Sequence, residues 1–198
     1  MGVKKKMTFP IKFKNIDSQE NIKTLQDYLD KNQSQWEELE EGNYWKGRTL
    51  FHGQISQSNV KNILEEITSN ALAVISYNIE HKKDLYCEHL SLARWPVGYD
   101  LKPHADAENP PDHPRHEYYW RDYACITFLN NDFEGGKLFF PELDIEILPE
   151  PGFSVCFPGT LKFLHGVTEI TKGTRYTIAS FLTHDISKKT IDIKYSKV

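Results

Sequence analysis

The sequence predicts an α+β fold that is mainly β, in which two helices come first and many short strands follow. Two amphipathic helical patterns fall within the first 70 residues. From residue 71 onward, short runs rich in β-branched and aromatic residues alternate with turns that contain glycine or proline. Many short strands separated by such turns are typical of a sandwich or a barrel.

The two helices are predicted by apolar residues that recur at helical intervals. The first spans residues 18–32, and Asp17 before it and Glu20 in its first turn have the spacing of a capping box. The second begins at Ser58, a potential N-cap. Its apolar stripe is formed by Val60, Ile63, Leu64 and Ile67. The polar segment 33–48 between the two helices is expected to be a loop.

The strands are predicted from short apolar or alternating runs that end at turn residues. Glycine and proline mark these turns, as in the Glu-Gly-Gly sequence at 134–136, because glycine accepts positive φ angles and proline ends strand pairing. The predicted strands are 71–77, 89–95, 99–106, 123–129, 137–140, 144–148, 153–157 and 174–182.

The chain length of 198 residues fits a single domain. We divide it into a helical support region over 1–70, a strand-rich core over 71–185 and a polar C-terminal tail over 186–198. One long loop interrupts the core at 107–119 and contains three prolines. Long loops in compact domains are usually functional or mobile, so this loop is a candidate part of a binding site.

Composition and charge narrow the classes of partner. A net charge of −4 gives no general electrostatic reason to expect binding to nucleic acid, which makes nucleic acid an unlikely partner. The three cysteines have neither CxxC spacing nor an even number, so neither a disulfide framework nor a cysteine zinc site is expected. No apolar run approaches the roughly 20 residues of a membrane span, and the lysine-rich start lacks the apolar stretch of a signal peptide.

These features predict a cytoplasmic protein that does not bind membranes. Frequent lysine, asparagine and isoleucine are typical of AT-rich genomes, which favours a bacterial or viral source.

Two histidines and an aspartate carry the first chemical signal. If 99–106 is a strand, His104 and Asp106 project from the same face. Together with the distant His165 they would form a facial triad of two imidazoles and one carboxylate, the ligand set of non-haem Fe(II) oxygenases. His165 alone lies among apolar residues, where an ordinary core histidine is the more common outcome.

An arginine carries the second chemical signal. Arg175 opens an alternating strand on which Arg175 and Thr177 share one face. An arginine that faces the interior needs an anionic partner. A dicarboxylic co-substrate would supply one through a charge-assisted pair.

Three segments together carry a family resemblance. They are 90–106, 121–141 and 165–181, and they include Phe-Leu-Asn-Asn at 128–131 and the Glu-Gly-Gly turn. This ordered set resembles the prolyl 4-hydroxylase group of 2-oxoglutarate- and Fe(II)-dependent dioxygenases over about residues 72–184. The resemblance implies a double-stranded β-helix, or jelly roll, with supporting N-terminal helices.

The resemblance also implies the cofactors and the residues that hold them. Iron is expected at His104, Asp106 and His165. 2-Oxoglutarate is expected to chelate the iron and to pair its far carboxylate with Arg175. Ascorbate is the expected reductant.

The remaining co-substrate contacts depart from the family pattern. Trp95 stands where many relatives carry a tyrosine, and its indole can still donate one hydrogen bond. Phe128, where another tyrosine is common, can donate none. Ala179 lies where a threonine is frequent, so Thr177 and Tyr123 are the expected replacements in binding 2-oxoglutarate.

The implied reaction hydroxylates prolyl residues of a peptide or protein with O2 and releases succinate and CO2. The expected substrate-binding residues are Tyr99, Tyr118, Trp120 and Arg121. The simpler interpretation of the aromatic residues is that they only pack the loop at 107–119.

Other functions are open at this stage. The jelly roll hosts many substrates, so the enzyme could instead oxidise a free amino acid, a small metabolite or a nucleobase. A jelly-roll module that binds metal without turnover is a further alternative. A structural zinc site that combines His104 and Asp106 with His113 and His116 of the loop would be one form of it.

Overall fold

The structure is a computed structural model that describes residues 7–37, 39–79 and 84–193. The lysine-rich start and the end of the predicted tail, at 194–198, lie outside the described residues. Two α-helices are described, α1 (Gln19–Lys31) and α2 (Ser58–Asn78). The described strands are β1 (Ile11–Lys14), β2 (Thr49–Phe51), β3 (Tyr86–Trp95), β4 (Leu101–His104), β5 (Tyr123–Phe128), β6 (Glu134–Gly135), β7 (Leu138–Phe140), β8 (Ile145–Ile147), β9 (Phe153–Pro158), β10 (His165–Val167), β11 (Ile170–Lys172) and β12 (Arg175–Thr183).

Helix α1 confirms the first helical prediction. Its cap is Ser18, whose hydroxyl accepts a hydrogen bond from the backbone N–H of Asn21 at 3.1 Å. The predicted cap Asp17 therefore lies one residue before the actual one. The face that α1 buries includes Ile22, Leu25 and Leu29, the residues whose spacing predicted the helix.

Helix α2 is longer than the sequence pattern predicted. It continues to Asn78, so the strand predicted at 71–77 is wrong. The buried residues Ala71, Leu72 and Ile75 continue the i+3 and i+4 spacing of the preceding stripe, which suits a helix packed on a sheet. The boundary drawn at residue 70 consequently lies inside α2. Ser58 is the first helical residue, and the cap position is Gln57, which makes no side-chain capping bond.

The strands form antiparallel sheets that make up the double-stranded β-helix expected from the family resemblance. The larger sheet has the strand order β1-β9-β5-β12-β3-β2, and the smaller has the order β4-β10-β7-β8. A two-stranded ribbon joins β11 to β6. Apart from 71–77, each predicted strand overlaps a described one. The pattern missed β1, β2, β6, β10 and β11, which have two to four residues each and are too short for a clear period.

Two hydrophobic clusters support the larger sheet on its two sides. The helices pack against it through a cluster that includes Leu25, Trp36 and Leu64, all fully buried. Phe128, Phe140 and Phe157 belong to a second cluster, which joins the two sheets. Within the described residues, neither helix is long and apolar enough to cross a bilayer.

The register of β12 determines which side chains share the inner face. β12 lies between β3 and β5, and Arg175 is opposite Trp95 on β3. Thr177 is opposite Ala93 on β3 and Phe128 on β5. Because strand side chains alternate, Arg175 and Thr177 point to the same side of the sheet, as the sequence pattern predicted.

Candidate active site

His104, Asp106 and His165 meet at the ends of two paired strands. His104 is the last residue of β4 and His165 is the first of β10, and the two are directly opposite in the antiparallel pair. Asp106 follows two residues after the end of β4, so its approach to His104 results from the turn and not from strand alternation. His104 Nε2 lies 3.6 Å from Asp106 Oδ1, and His165 Nε2 lies 3.7 Å from Asp106 Oδ2.

The close approach of β10 to its neighbours depends on Gly166. A Cβ atom at this position would lie 2.6 Å from the Leu101 carbonyl oxygen and 2.6 Å from the Phe139 ring. These distances are too short for any real side chain. Glycine therefore keeps His165 close to β4 and to His104.

Hydrogen bonds orient both imidazole rings. The Nδ1 of His104 lies 3.0 Å from the Lys102 carbonyl oxygen, and the Nδ1 of His165 lies 3.1 Å from that of Phe163. A carbonyl oxygen only accepts, so each Nδ1 carries the proton and donates. Each Nε2 then presents a lone pair toward Asp106, an arrangement typical of histidines that bind metals.

Burial and charge set the protonation of the three groups. Burial lowers the pKa of His165 to about 4, which leaves its imidazole neutral and able to ligate. Burial also opposes a charge on His104, but the adjacent Asp106 carboxylate raises the pKa of His104 above its usual value. Burial alone would raise the pKa of Asp106. The adjacent His104 and His165 imidazoles outweigh burial, so the pKa of Asp106 lies below its usual value.

The donor set fits a metal ion. The three ligand atoms lie within 4.8 Å of one another, and Asp106 and His165 are 6% exposed. The Oδ2 atom of Asp106 is buried, and none of the described residues forms a hydrogen bond with it. Two neutral nitrogens and one carboxylate oxygen match the facial triad of non-haem Fe(II) sites. An ion at this point would satisfy the unpaired carboxylate oxygen.

The loop histidines do not join this group. Among the described residues, the group that could hold a metal consists of His104, Asp106 and His165. His113 is exposed and lies 3.0 Å from the carboxylate of Asp112. His116 Nδ1 accepts a hydrogen bond from the backbone N–H of Tyr118. The geometry therefore does not favour the structural zinc site considered above.

Arg175 is a buried cation in the same cavity. Its residue is 1% exposed, and its Nε and Nη1 atoms have no hydrogen-bond partner among the described residues. Burial lowers the pKa of Arg175 to about 9. The Trp95 ring lies 5.2 Å from its guanidinium carbon, and the Trp95 indole donates to Thr177 Oγ1 at 3.3 Å. These unpaired donors are what a carboxylate ligand would satisfy.

One cavity of about 900 Å³ connects the metal-ligand group with Arg175. His104, Asp106, His165 and Arg175 all line it. Trp95 and Thr177, two of the predicted co-substrate contacts, line the same cavity. Its volume is within the usual range for small-molecule sites.

The predicted residue Tyr123 lies elsewhere. It is at the start of β5, opposite Leu182, whereas Phe128 at the other end of β5 is opposite Thr177. The Tyr123 ring packs against Phe9 and His184. It is not among the described residues that line the cavity, and Thr177 and Trp95 take the polar positions near Arg175.

The predicted substrate-binding residues also differ in whether they line the cavity. Tyr118 and Arg121 line the cavity, whereas Tyr99 and Trp120 do not. Tyr99 covers the guanidinium of Arg48 at 4.1 Å. Trp120 packs edge-on against neighbouring tyrosine rings. For Trp120, the interpretation as loop packing therefore agrees with the geometry.

Sequence reasoning missed the partner of Arg121. The Glu88 carboxylate accepts hydrogen bonds from Arg121 Nε at 2.9 Å and Nη2 at 3.4 Å. The guanidinium carbon lies 3.9 Å from the Tyr118 ring centroid and 4.0 Å from that of Phe181. Glu88 and Phe181 also line the cavity. The available signal was an acidic residue inside the largely apolar strand β3.

Comparisons with known proteins agree with this geometry. Residues 90–183 match the sequence profile of the 2OG-Fe(II) oxygenase superfamily. Prolyl 3-hydroxylase 1 of Gallus gallus is 44% identical over 73 residues, which are 34% of this chain and 10% of that protein. The chain therefore spans about a tenth of the length of the curated relatives that it matches.

Two solved structures share the fold. A prolyl hydroxylase from Trichoplax adhaerens, in complex with a hypoxia inducible factor oxygen degradation domain peptide fragment, has a TM-score of 0.68 at 15% identity, over 93% of this chain and 87% of that one. The viral collagen prolyl hydroxylase of Paramecium Bursaria Chlorella virus-1, in its 2OG complex, has a TM-score of 0.64 at 16% identity, over 87% of this chain and 94% of that one.

Proposed function

We propose that this chain, whose residues 90–183 match the 2OG-Fe(II) oxygenase superfamily, hydroxylates prolyl residues of a peptide or protein. The reaction consumes O2 and 2-oxoglutarate and yields a hydroxylated product, succinate and CO2. The observation that carries the proposal is one cavity that holds both a metal-ligand triad and a buried arginine, Arg175, for which the described residues supply no carboxylate partner.

In this proposal His104, Asp106 and His165 hold Fe(II). Their Nε2 and carboxylate atoms converge, and their Nδ1 atoms are fixed by backbone carbonyls. Three protein ligands leave coordination positions for other molecules. Bound Fe(II) supplies, with 2-oxoglutarate and O2, the oxidation that replaces a C–H hydrogen of the substrate by a hydroxyl group.

Arg175 binds the far carboxylate of 2-oxoglutarate in this proposal. Its Nε and Nη1 donors are unpaired, and the surrounding Trp95 and Phe128 rings exclude water. The Thr177 hydroxyl accepts from Trp95 and can donate its own hydrogen to the same carboxylate. Tyr123 is left out of this set because it packs at the other end of β5.

The substrate side of the cavity is formed by the end of the loop at 107–119 and by Arg121. Tyr118 lies against the Arg121 guanidinium and forms part of the wall. A peptide substrate is supported by relatives that are prolyl hydroxylases, one of them solved with a peptide. We propose that Tyr118 and Arg121 contact the peptide, with ascorbate as reductant.

We propose further that the chain forms a single domain, because one hydrophobic cluster combines residues of both helices with residues of β3, β5, β9 and β12. The three cysteines are free and buried. Free thiols agree with a reducing compartment, and we propose a cytoplasmic location.

The test is succinate formation from 2-oxoglutarate with Fe(II) and ascorbate, with and without proline-containing peptides. We expect the peptide to raise succinate formation and to gain about 16 Da, the mass of one oxygen atom. Asp106→Ala should abolish both the succinate formation and the gain in mass. Asp112→Ala is the matched control, because this aspartate is exposed on the loop and contacts only its neighbour His113 among the ion pairs described for it.

Each outcome has a distinct meaning. Amino-acid analysis of the product separates 3-hydroxyproline from 4-hydroxyproline, a distinction that matters because the curated relative is a 3-hydroxylase. Succinate without peptide modification would reject the prolyl substrate and retain the oxygenase. Absence of succinate under all conditions would leave a metal-binding module without turnover.

A further inference from the structure

Arg48 is buried inside a cage of aromatic rings. It is 2% exposed, and it lies in the segment 43–49, before the part of the chain that matches the superfamily. Its guanidinium carbon lies within 4.0 to 5.1 Å of four ring centroids. These rings are Tyr44 at 4.0 Å, Tyr99 at 4.1 Å, Trp45 at 4.7 Å and Trp95 at 5.1 Å.

Aromatic faces and one carbonyl hold this cation. The Nε and Nη2 atoms of Arg48 donate to the Tyr44 carbonyl oxygen at 3.0 and 2.8 Å. Its Nη1 atom has no hydrogen-bond partner among the described residues. Aromatic faces attract a cation through their quadrupole, and the attraction is stronger when the cation is desolvated. Arg48 and its rings therefore fix one another.

Two rings of the cage form a wall of the cavity beside Arg175. Trp45 and Trp95 line the cavity and meet edge to face, with centroids 5.1 Å apart. Trp95 also contacts the co-substrate end, because its ring lies 5.2 Å from the Arg175 guanidinium and its indole donates to Thr177. Trp95 is thus in contact with two buried arginines, Arg48 and Arg175.

Backbone contacts attach the cage to two strands. The Arg48 carbonyl oxygen accepts from the Arg94 N–H at 2.8 Å, next to Trp95 at the end of β3. The Tyr44 hydroxyl donates to the carbonyl oxygen of Asp100, the residue before β4. Strand β4 ends at His104. The segment 43–49 is therefore fastened to the strand that carries Trp95 and to the strand that leads to the metal-ligand group.

We propose that Arg48 is a positioning residue that sets the affinity for 2-oxoglutarate by holding Trp45 and Trp95 against the Arg175 end of the cavity. The inference rests on the proposed function, because it takes 2-oxoglutarate as the ligand of Arg175. Arginine is required because its planar guanidinium packs on aromatic rings while two of its nitrogens donate to one carbonyl oxygen, here that of Tyr44, a fork that an ammonium group does not reproduce.

The test is calorimetric titration of 2-oxoglutarate into protein loaded with Mn(II), which needs no turnover. We expect Arg48→Lys, which keeps the charge, to weaken 2-oxoglutarate binding by about fivefold to thirtyfold, the range expected for a desolvated cation–π contact. The affinity for Mn(II) alone should stay at the wild-type value, because His104, Asp106 and His165 do not contact Arg48. A general loosening of the fold would weaken both.

A double-mutant cycle tests whether Arg48 acts through Trp95. We expect the double variant with Trp95→Phe and Arg48→Lys to raise the Kd of 2-oxoglutarate by less than the product of the two single fold-increases. Trp45→Phe, which leaves Arg48 stacked on three other rings, provides a milder variant if Arg48→Lys does not fold. It should weaken 2-oxoglutarate binding in the same direction.

Arg115→Lys is the matched control. Arg115 also lies over an aromatic ring, that of Tyr119 at 3.1 Å, but it is exposed and is not among the described residues that line the cavity. Its variant should bind 2-oxoglutarate with wild-type affinity. Binding by Arg48→Lys within twofold of wild type, or fully multiplicative effects in the cycle, would overturn the inference and leave the proposed function intact. A wild-type protein that binds no 2-oxoglutarate would overturn both.

Discussion

Replacing Arg175 by methionine removes a cation that is buried without a salt-bridge partner among the described residues. Burial lowers the pKa of Arg175 to about 9, and a lowering of this size from the ordinary guanidinium value corresponds to roughly 5 kcal/mol of desolvation. Methionine has a similar length and needs no partner. The ligand-free variant should therefore be as stable as the wild type or more stable, because removing an uncompensated charge relieves that penalty.

The same substitution should have the opposite effect on 2-oxoglutarate. Loss of one partner of a buried, hydrogen-bonded charge pair costs about 2–5 kcal/mol, which is roughly a 30-fold to several-thousandfold increase in Kd. We expect Arg175→Met to lie in this range in the Mn(II) calorimetric assay, while its thermal midpoint stays level or rises. A higher stability together with a lower affinity identifies a residue that serves a ligand and not the fold.

Lys172→Met is the matched control for this experiment. Lys172 is a nearby cation on β11, but it is exposed and pairs with Glu134 at 2.9 Å. It should change neither the midpoint nor the affinity by much, since exposed ion pairs contribute little. The reasoning about Arg175 would be refuted by an Arg175→Met protein that binds 2-oxoglutarate within threefold of wild type. It would equally be refuted by a loss of more than about 3 kcal/mol of stability, the low end of what removing one partner of a buried ion pair costs.

Three further predictions concern the triad, the co-substrate end and the core. Asp106→Asn should reduce bound Mn(II) or Fe(II), measured by elemental analysis after dialysis, to a small fraction of the wild-type amount; full metal occupancy would contradict the proposed ligand set. Thr177→Val removes the hydroxyl that accepts from the Trp95 indole and is proposed to donate to the 2-oxoglutarate carboxylate, and it should weaken 2-oxoglutarate binding by about 10- to 150-fold, since a hydrogen bond to a charged group contributes about 1.5–3 kcal/mol; unchanged calorimetric affinity would show that this hydroxyl is dispensable. Leu64→Ala, at a fully buried position of α2, should lower the free energy of unfolding in urea by about 2–5 kcal/mol without changing metal content, and a change below 1 kcal/mol would mean that the helix packs loosely.

Much of the fold was predictable because most elements carry a local period. Helix α1 and the longer strands follow their apolar spacing. The segment 71–77 was misread because its first five residues, 71–75, are all apolar and give no period that distinguishes a buried helix from a buried strand. Strand β1 was missed because its four residues acquire their role only by pairing with β9.

The residues of the candidate site also differ in whether local sequence or long-range contacts determine their positions. The shared face of Arg175 and Thr177 is a local property and could be predicted from strand alternation. The distance of Tyr123 from Arg175 depends on the register between β5 and β12, which no local pattern encodes. The partnership of Glu88 with Arg121 joins residues 33 positions apart and is likewise visible only in the folded chain.

The two arginines that line the cavity differ in whether a carboxylate neutralises them, so the two ends of the cavity differ in charge. Arg121 is neutralised by Glu88, whereas Arg175 has no such carboxylate among the described residues. An incoming anion therefore meets attraction at the Arg175 end and a closed ion pair at the other. A dicarboxylate can enter in one orientation, and a neutral stretch of peptide suits the opposite end. In the proposed reaction, the chain thus separates the binding of its two reactants by charge.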